Sequence, residues 1–194
     1  PRWASIGAAA AAVALAVGVL LSASSDARAA LDSILEVGGL SITTDGEQSA
    51  TPGALEQQLG RRASTENLND VPFEILELPS RGDAQVYINE LRQGTIVTLI
   101  YAGDDGAPVL VTQFIGDVRA VKDTPGARPD EVLVNGRQGY WLSGPHTIAY
   151  PFESGDPPVR EVGSVLFWEE DGVVIRIESD LTLSEVLALA ATLG

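Results

Sequence analysis

SVLFWEEDGVVIRIES, residues 164–179, is the stretch that decides the fold of this chain. Two runs rich in β-branched and aromatic residues flank Asp171-Gly172, a dipeptide that accepts the positive φ angles of a type I′ turn. The stretch therefore predicts a two-residue β-hairpin. The apolar residues at 173, 175 and 177 alternate with Arg176 and Glu178, which predicts one buried face and one face that is at least partly wet.

Two further turns repeat this pattern. Asn135-Gly136 joins DEVLV to RQGYWLS, and Asp104-Asp105-Gly106 separates TIVTLIYAG from PVLVTQFIG. Parallel pairing needs a crossover connection, and short hairpin turns leave no room for one. The sequence therefore predicts a largely antiparallel sheet.

The period-two pattern also predicts where the strands lie. A short strand at Gly39–Thr43 and one short helix at Ser64–Asp70 are expected before the main sheet. The main strands are expected at Phe73–Glu77, Gln85–Asn89, Thr95–Ala102, Pro108–Gly116, Glu131–Val134, Gly139–Ser143, His146–Tyr150, Ser164–Glu169 and Val173–Glu178.

The chain closes with LTLSEVLALAATLG, which predicts a helix. Thr182 and Glu185 have the spacing of a capping box, and Leu181 and Val186 that of a hydrophobic staple. One face of this helix is apolar and should lie on the sheet; it carries Leu183, Val186, Leu187, Ala190 and Leu193. The expected fold class is α+β: a mostly antiparallel, hairpin-rich sheet with a C-terminal helix packed on one face, preceded by one N-terminal transmembrane helix.

The N-terminal stretch Trp3–Ser25 carries no charge. About 23 residues at a rise of about 1.5 Å each can cross a bilayer core of about 30 Å. Ala27-Arg28-Ala29 resembles a signal-peptidase site, so a retained span and a cleaved signal peptide both stay open. The expected organisation is a transmembrane helix or signal anchor at 1–30, a flexible tether at 31–62 and an extracytoplasmic α+β domain at 63–194. The apolar residues that would carry the span are Ile6, Val13, Leu15, Val17, Val19, Leu20 and Leu21.

Composition limits the partners and the chemistry. The formal net charge is −15, so nucleic acid and anionic lipid head groups are poor partners, whereas a cationic ligand or protein face is compatible. The chain has no Cys, which excludes disulfides, thiolate zinc sites and cysteine nucleophiles.

Catalytic motifs are sparse. His146 is the single histidine, with Ser143 or Ser164 as conceivable nucleophiles, but no G-x-S-x-G elbow accompanies it. Acidic clusters at residues 104–105 and 169–171 coincide with hairpin turns and lack the ligand spacing of a calcium loop. We therefore expect no catalytic residue, metal site or cofactor. A set of aromatic residues either fills the core or faces an apolar ligand: Tyr140, Trp141, Tyr150, Phe167 and Trp168.

Several segments, in order, resemble a known family. They are similar to the extracytoplasmic C-terminal domain, of unknown function, of bacterial single-pass anti-sigma-factor-like membrane proteins, over most of the chain from about Ala27 onward. The segments are ARAALDSILEVGGLSI, LGRRAS, QVYIN, VTLIYAG, VLVTQFIG, VLVNGRQGYWLSG, VLFWEEDGVVIRIES and LTLSEVLALAATL. The resemblance implies a bacterial cell-membrane location with one span. It also implies a sigma factor as partner, but only through an upstream cytoplasmic module that is not in this chain.

The expected function is therefore a non-enzymatic sensory or interaction domain of a membrane-anchored, anti-sigma-factor-like regulatory protein. Its partners would be the membrane, through the N-terminal helix, and an envelope protein or ligand. The alternative is a secreted or periplasmic binding protein that carries an apolar ligand between sheet and helix.

Overall fold

The computed structural model describes residues 34–37, 40–43, 59–91, 94–103, 107–115, 120–123, 129–149 and 159–194. The chain divides into two compact units, Pro1–Leu35 and Glu36–Gly194, and almost all described residues belong to the second. The predicted span residues between 6 and 21 lie outside the described residues. Within the described ranges, no helix combines the length and the apolar character needed to cross a bilayer.

Strands dominate the described part of the chain. The C-terminal helix spans Leu183–Ala190, and 3₁₀ turns occupy Thr65–Asp70 and Pro79–Arg81. The strands are β1 (Ile34–Val37), β2 (Leu40–Thr43), β3 (Arg61–Ala63), β4 (Gln85–Leu91), β5 (Gly94–Tyr101), β6 (Val109–Ile115), β7 (Ala120–Asp123), β8 (Asp130–Val134), β9 (Arg137–Leu142), β10 (His146–Ala149), β11 (Val159–Val162), β12 (Ser164–Glu170) and β13 (Val173–Ser179).

These strands form two sheets. The larger sheet has eight strands in the order β3-β4-β5-β6-β13-β12-β9-β8, and its neighbours pair antiparallel. The smaller sheet has five strands in the order β1-β2-β7-β10-β11, in which β2 and β7 pair parallel. The predicted α+β class, mostly antiparallel with a C-terminal helix, is confirmed.

Two of the three predicted hairpin turns have the expected conformation. Asn135 and Gly136 have φ angles of 51° and 82°, and Asp171 and Gly172 have φ angles of 52° and 83°. Positive φ at both central positions is the signature of a type I′ turn, whose twist matches that of the strands. The third predicted turn, at 104–106, lies outside the described residues, although its flanking strands β5 and β6 do pair antiparallel.

The C-terminal helix covers one face of the larger sheet. Val186 and Ala190 on the helix are fully buried, and they pack in one apolar cluster with Trp168, Ile175 and Ile177. The capping box is present as predicted, because Thr182 N–H donates to Glu185 Oε2 at 2.8 Å.

Residues 71–78, which we name the strap, lie on the same face without joining the sheet ladder. A strand was predicted here at Phe73–Glu77; no strand forms, because side chains take the place of a neighbouring strand. The Gln113 amide accepts from Leu76 N–H at 2.9 Å and donates to Leu76 O at 2.7 Å. Tyr101 OH accepts from Leu78 N–H at 2.9 Å, which satisfies the next buried backbone donor.

The opposite face of the larger sheet differs from the prediction. Arg176 and Glu178 were expected to be partly exposed to solvent, yet they are 0% and 4% exposed. Phe167 and Val174, on the same face, are also fully buried. At Glu178 the reason is a contact with the smaller sheet, because Arg160 of strand β11 reaches the Glu178 carboxylate. Both faces of the larger sheet are therefore buried in this region.

Some short elements also differ from the sequence prediction. Strands β1 and β2 lie in the 31–62 region and β3 begins there, whereas we expected a tether with one strand at Gly39–Thr43. The helix predicted at Ser64–Asp70 is a 3₁₀ helix at Thr65–Asp70, with Ser64 as its N-cap. Strands β7 and β11 were not predicted at all.

Candidate functional site

Glu178 stands at the centre of a buried ion cluster that joins the two sheets. Arg160, from β11, donates in bidentate fashion: Nη1 lies 2.5 Å from Oε2 and Nη2 lies 2.7 Å from Oε1. Arg176 lies on the same strand as Glu178, two residues earlier, with Nη2 at 2.7 Å from Oε1. One carboxylate thus contacts two guanidinium groups.

The cluster sits in a row of residues that runs across the larger sheet. Arg176 pairs with Thr112 on β6, and Thr112 pairs with Thr98 on β5. The two threonine hydroxyls lie 3.2 Å apart. On the other side Arg176 pairs with Phe167, whose ring stacks on that of Tyr140 at a centroid distance of 5.5 Å. Arg160 of the smaller sheet and Glu178 of the larger sheet meet in this cluster, so the cluster is a structural connection between the sheets.

His146, the candidate base, is buried on β10. Its Nδ1 lies 3.0 Å from Gly144 O, and Gly144 N–H donates to Ser164 Oγ at 3.2 Å. His146 therefore contacts the carbonyl of Gly144, and the candidate nucleophile Ser164 accepts from its N–H. Both side chains hold this glycine in the β9–β10 turn. Ser143, the other candidate nucleophile, is exposed in that turn. These contacts favour a turn-stabilising role for His146 and Ser164.

The aromatic residues divide between the two faces of the larger sheet. Trp141 and Trp168 belong to the cluster under the C-terminal helix. Tyr140 and Phe167 stack on the opposite face. These four residues therefore do not line one common cavity. Tyr150, the fifth, lies outside the described residues.

The acidic group at 169–171 forms salt bridges with an arginine of the same chain. Arg137 Nη2 lies 3.0 Å from Glu170 Oε1 and 3.7 Å from Asp171 Oδ1, across the ends of two hairpins. In the part of the chain that the structure describes, no three His, Asp or Glu side chains converge as metal ligands would.

Strand β8 forms one edge of the larger sheet. The type I′ turn makes Val134 and Arg137 a hydrogen-bonded pair, so Val132 and Asp130 are the next hydrogen-bonded positions along β8. The intervening residues, Glu131 and Leu133, consequently direct their N–H and C=O groups away from β9. The order of the described strands places no neighbour on that side.

The side chains at this edge combine one apolar group with two acids. Leu133 is 72% exposed and is the large apolar residue that stands out as exposed among those described. Asp130 and Glu131 are exposed beside it. A shallow depression is lined by Glu131, Val132, Leu133 and Gln138. We name these features together the β8 edge: residues 130–133 with their outward backbone groups. It could accept an extended polypeptide.

Comparison of the chain with protein-family models, curated proteins and solved structures finds no match. The candidate sites therefore depend on the geometry of this chain alone.

Sequence reasoning missed both the ion cluster and the β8 edge. A signal for the buried cluster did exist, because VLVTQFI on β6 and SVLFW on β12 are nearly continuous apolar runs rather than alternating ones. Continuous runs indicate strands that are buried on both faces. No comparable signal marks the β8 edge, since strand order is a long-range property of the fold.

Proposed function

We propose that this chain is a non-enzymatic interaction domain, held at the outer face of a bacterial membrane as part of an anti-sigma-factor-like regulatory protein. It binds an envelope protein or ligand, and binding biases the state of the membrane-anchored helix. A sigma factor is a partner only through an upstream cytoplasmic module that is not in this chain.

The observation that carries the interaction role is the β8 edge. Soluble proteins usually protect sheet edges, and an edge with outward backbone groups can pair with another chain. At the β8 edge the described strands place no neighbour beside these groups, and Leu133 is 72% exposed there. The non-enzymatic role is supported by the contacts of His146 and Ser164, which both hold the backbone of Gly144.

The membrane location is supported by the uncharged stretch Trp3–Ser25 and by the order of segments shared with the anti-sigma-factor-like domain. The net charge of −15 is unfavourable for direct binding to anionic head groups. The anchor in this proposal is therefore the apolar helix and not the folded domain.

The alternative function, carriage of an apolar ligand between sheet and helix, finds little support in the packing. Val186 and Ala190 on the helix and Trp168, Ile175 and Ile177 on the sheet are all 0% exposed in one apolar cluster. Protein side chains thus fill the space that such a ligand would need.

Cell fractionation with N-terminal sequencing tests the location. We expect the chain, expressed in a bacterium, to stay in the membrane pellet after an alkaline carbonate wash and to retain residues 1–25. A soluble product that begins at Ala30 would reject the anchor and favour the secreted binding protein. A Ser22→Arg variant, which places a charge in the uncharged stretch, should shift the chain toward the soluble fraction.

A further inference from the structure

The β8 edge offers a defined set of backbone groups to a new strand. Glu131 and Leu133 each present one N–H and one C=O outward, as the register with β9 requires. An added antiparallel strand would place two of its residues directly opposite these two, with both side chains on the face that carries Glu131 and Leu133. Affinity would come from main-chain hydrogen bonds and specificity from the side chains opposite.

The side chains at the edge determine what can pair with it. An apolar side chain opposite Leu133 would stabilise the complex, because it would bury the exposed leucine. Opposite Glu131 a lysine or arginine gains an ion pair, whereas an acidic residue is repelled. Because the added strand runs antiparallel, the apolar residue precedes the basic residue by two positions.

Charge also argues against a second copy of this chain as the occupant. Pairing two β8 edges would bring together molecules that each carry a net charge of −15, with Glu131 of one copy on the same face as Glu131 of the other. Charged residues on an edge strand protect against such self-pairing. The same charges attract a cationic segment.

We infer that the β8 edge binds an extended peptide segment by strand addition, and that this segment carries an apolar residue followed two positions later by lysine or arginine. The inference rests on the proposed function, for which it names the partner-binding site and the chemistry of the partner.

A titration of the full, ¹⁵N-labelled chain tests this inference. The probe is a hexapeptide with blocked ends, composed of threonine except for valine and lysine two positions apart, in that order. We expect the backbone amide signals of Glu131 and Leu133 to shift more than those of Val132 and Val134, whose N–H groups face β9. Absence of saturable shifts at the Glu131 and Leu133 amides up to about 1 mM peptide, the weak end of specific binding, would overturn the inference.

A charge reversal provides the matched variant. Glu131→Lys should weaken binding of the lysine peptide by about threefold to tenfold and should favour the same peptide with glutamate in place of lysine. Glu161→Lys, at an exposed position on β11, makes the same change in net charge away from the edge and should leave the preference for lysine unchanged. Equal effects of the two variants would show general charge attraction and overturn the assignment to the edge.

Leu133→Pro tests the hydrogen bonds themselves. Proline removes the outward N–H of residue 133 but leaves the β8–β9 bonds of Val132 and Val134, and proline is tolerated on edge strands. Binding of the lysine peptide should fall at least about tenfold. If this variant fails to fold, Glu131→Lys still decides the question. Concentration-dependent self-association that Leu133→Pro abolishes would assign the edge to a second copy and overturn the inference.

The outcomes separate this inference from the proposed function. A chain that binds the lysine peptide through Glu131 and Leu133 but fractionates as a soluble cleaved product would reject only the membrane anchor. A chain that stays in the membrane but shows no shifts at these amides would reject only the peptide site.

Discussion

Glu178 is a single carboxylate that contacts two guanidinium groups between the sheets, those of Arg160 and Arg176. Removing charges from water is costly, and the cost is offset only when the geometry of the ion pairs is good. The bidentate contact with Arg160 meets that condition. At the residue scale, Glu178 therefore couples β11 to β13, and the coupling depends on the carboxylate being present.

Replacing Glu178 with alanine should lower the free energy of unfolding by about 3–5 kcal/mol, because two guanidinium groups would stay buried without their shared carboxylate. Glu161→Ala, an exposed change on β11, should stay within about 0.5 kcal/mol of the parent chain. Urea unfolding measures both. A loss below about 1 kcal/mol for Glu178→Ala would contradict the structural role of the cluster.

Side-chain hydrogen bonds hold the strap on the sheet. Its extended backbone is held by Gln113, by Tyr101 OH and by Gly194, whose N–H and C=O exchange bonds with Glu77 at 3.3 Å and 3.2 Å. The bond to Tyr101 OH satisfies the buried N–H of Leu78, which would otherwise lack an acceptor. The strap thus takes the place of a strand without belonging to a sheet.

Ionisation of the Tyr101 hydroxyl should make the stability of the folded chain depend on pH. Burial raises the pKa of Tyr101 above its ordinary value of 10.0; the hydrogen bond from Leu78 N–H lowers it, and the charge of Glu77 raises it further. The folded state therefore keeps a proton that the unfolded chain releases near pH 10. The stability that this proton contributes is fully present below pH 10 and is lost as pH rises through the folded-state pKa.

Urea unfolding from about pH 8 to about pH 11 should show this loss in the parent chain. Tyr101→Phe should be less stable than the parent at the lower pH, because Leu78 N–H loses its acceptor. Its stability should fall less as pH rises, because phenylalanine has no hydroxyl to ionise. Tyr140→Phe is the control, since its partly exposed hydroxyl accepts from Gln138 outside the strap. An identical pH slope in Tyr101→Phe and the parent would contradict the role given to Tyr101.

Local signals explain why some elements could be predicted from the sequence and others could not. The hairpin turns at Asn135-Gly136 and Asp171-Gly172 and the capping box at Thr182 depend on adjacent residues, so their sequence patterns are sufficient. Phe73–Glu77 has a strand-like pattern, but its pairing partner is the side chain of Gln113, which no local pattern reveals. The ion pair of Glu178 depends on Arg160 of β11, a contact between two sheets that no local pattern reveals.

At the scale of the whole molecule, the described part of the chain is a scaffold whose larger sheet is buried on both faces and open at the β8 edge. The helix and the strap cover one face, and Arg160 of β11 contacts Glu178 on the other. An open edge on such a scaffold supports the proposed binding role. The proposed anchor would keep this edge at the outer surface of the membrane.

Thiol labelling in intact spheroplasts tests this location most directly, because the chain contains no cysteine of its own. Glu169→Cys places a thiol at an exposed position on β12, and Pro1→Cys places one before the uncharged stretch. We predict that a membrane-impermeant maleimide labels Glu169→Cys fully before lysis, but labels Pro1→Cys only after lysis. Labelling of Glu169→Cys that requires lysis would contradict an outer-face interaction domain.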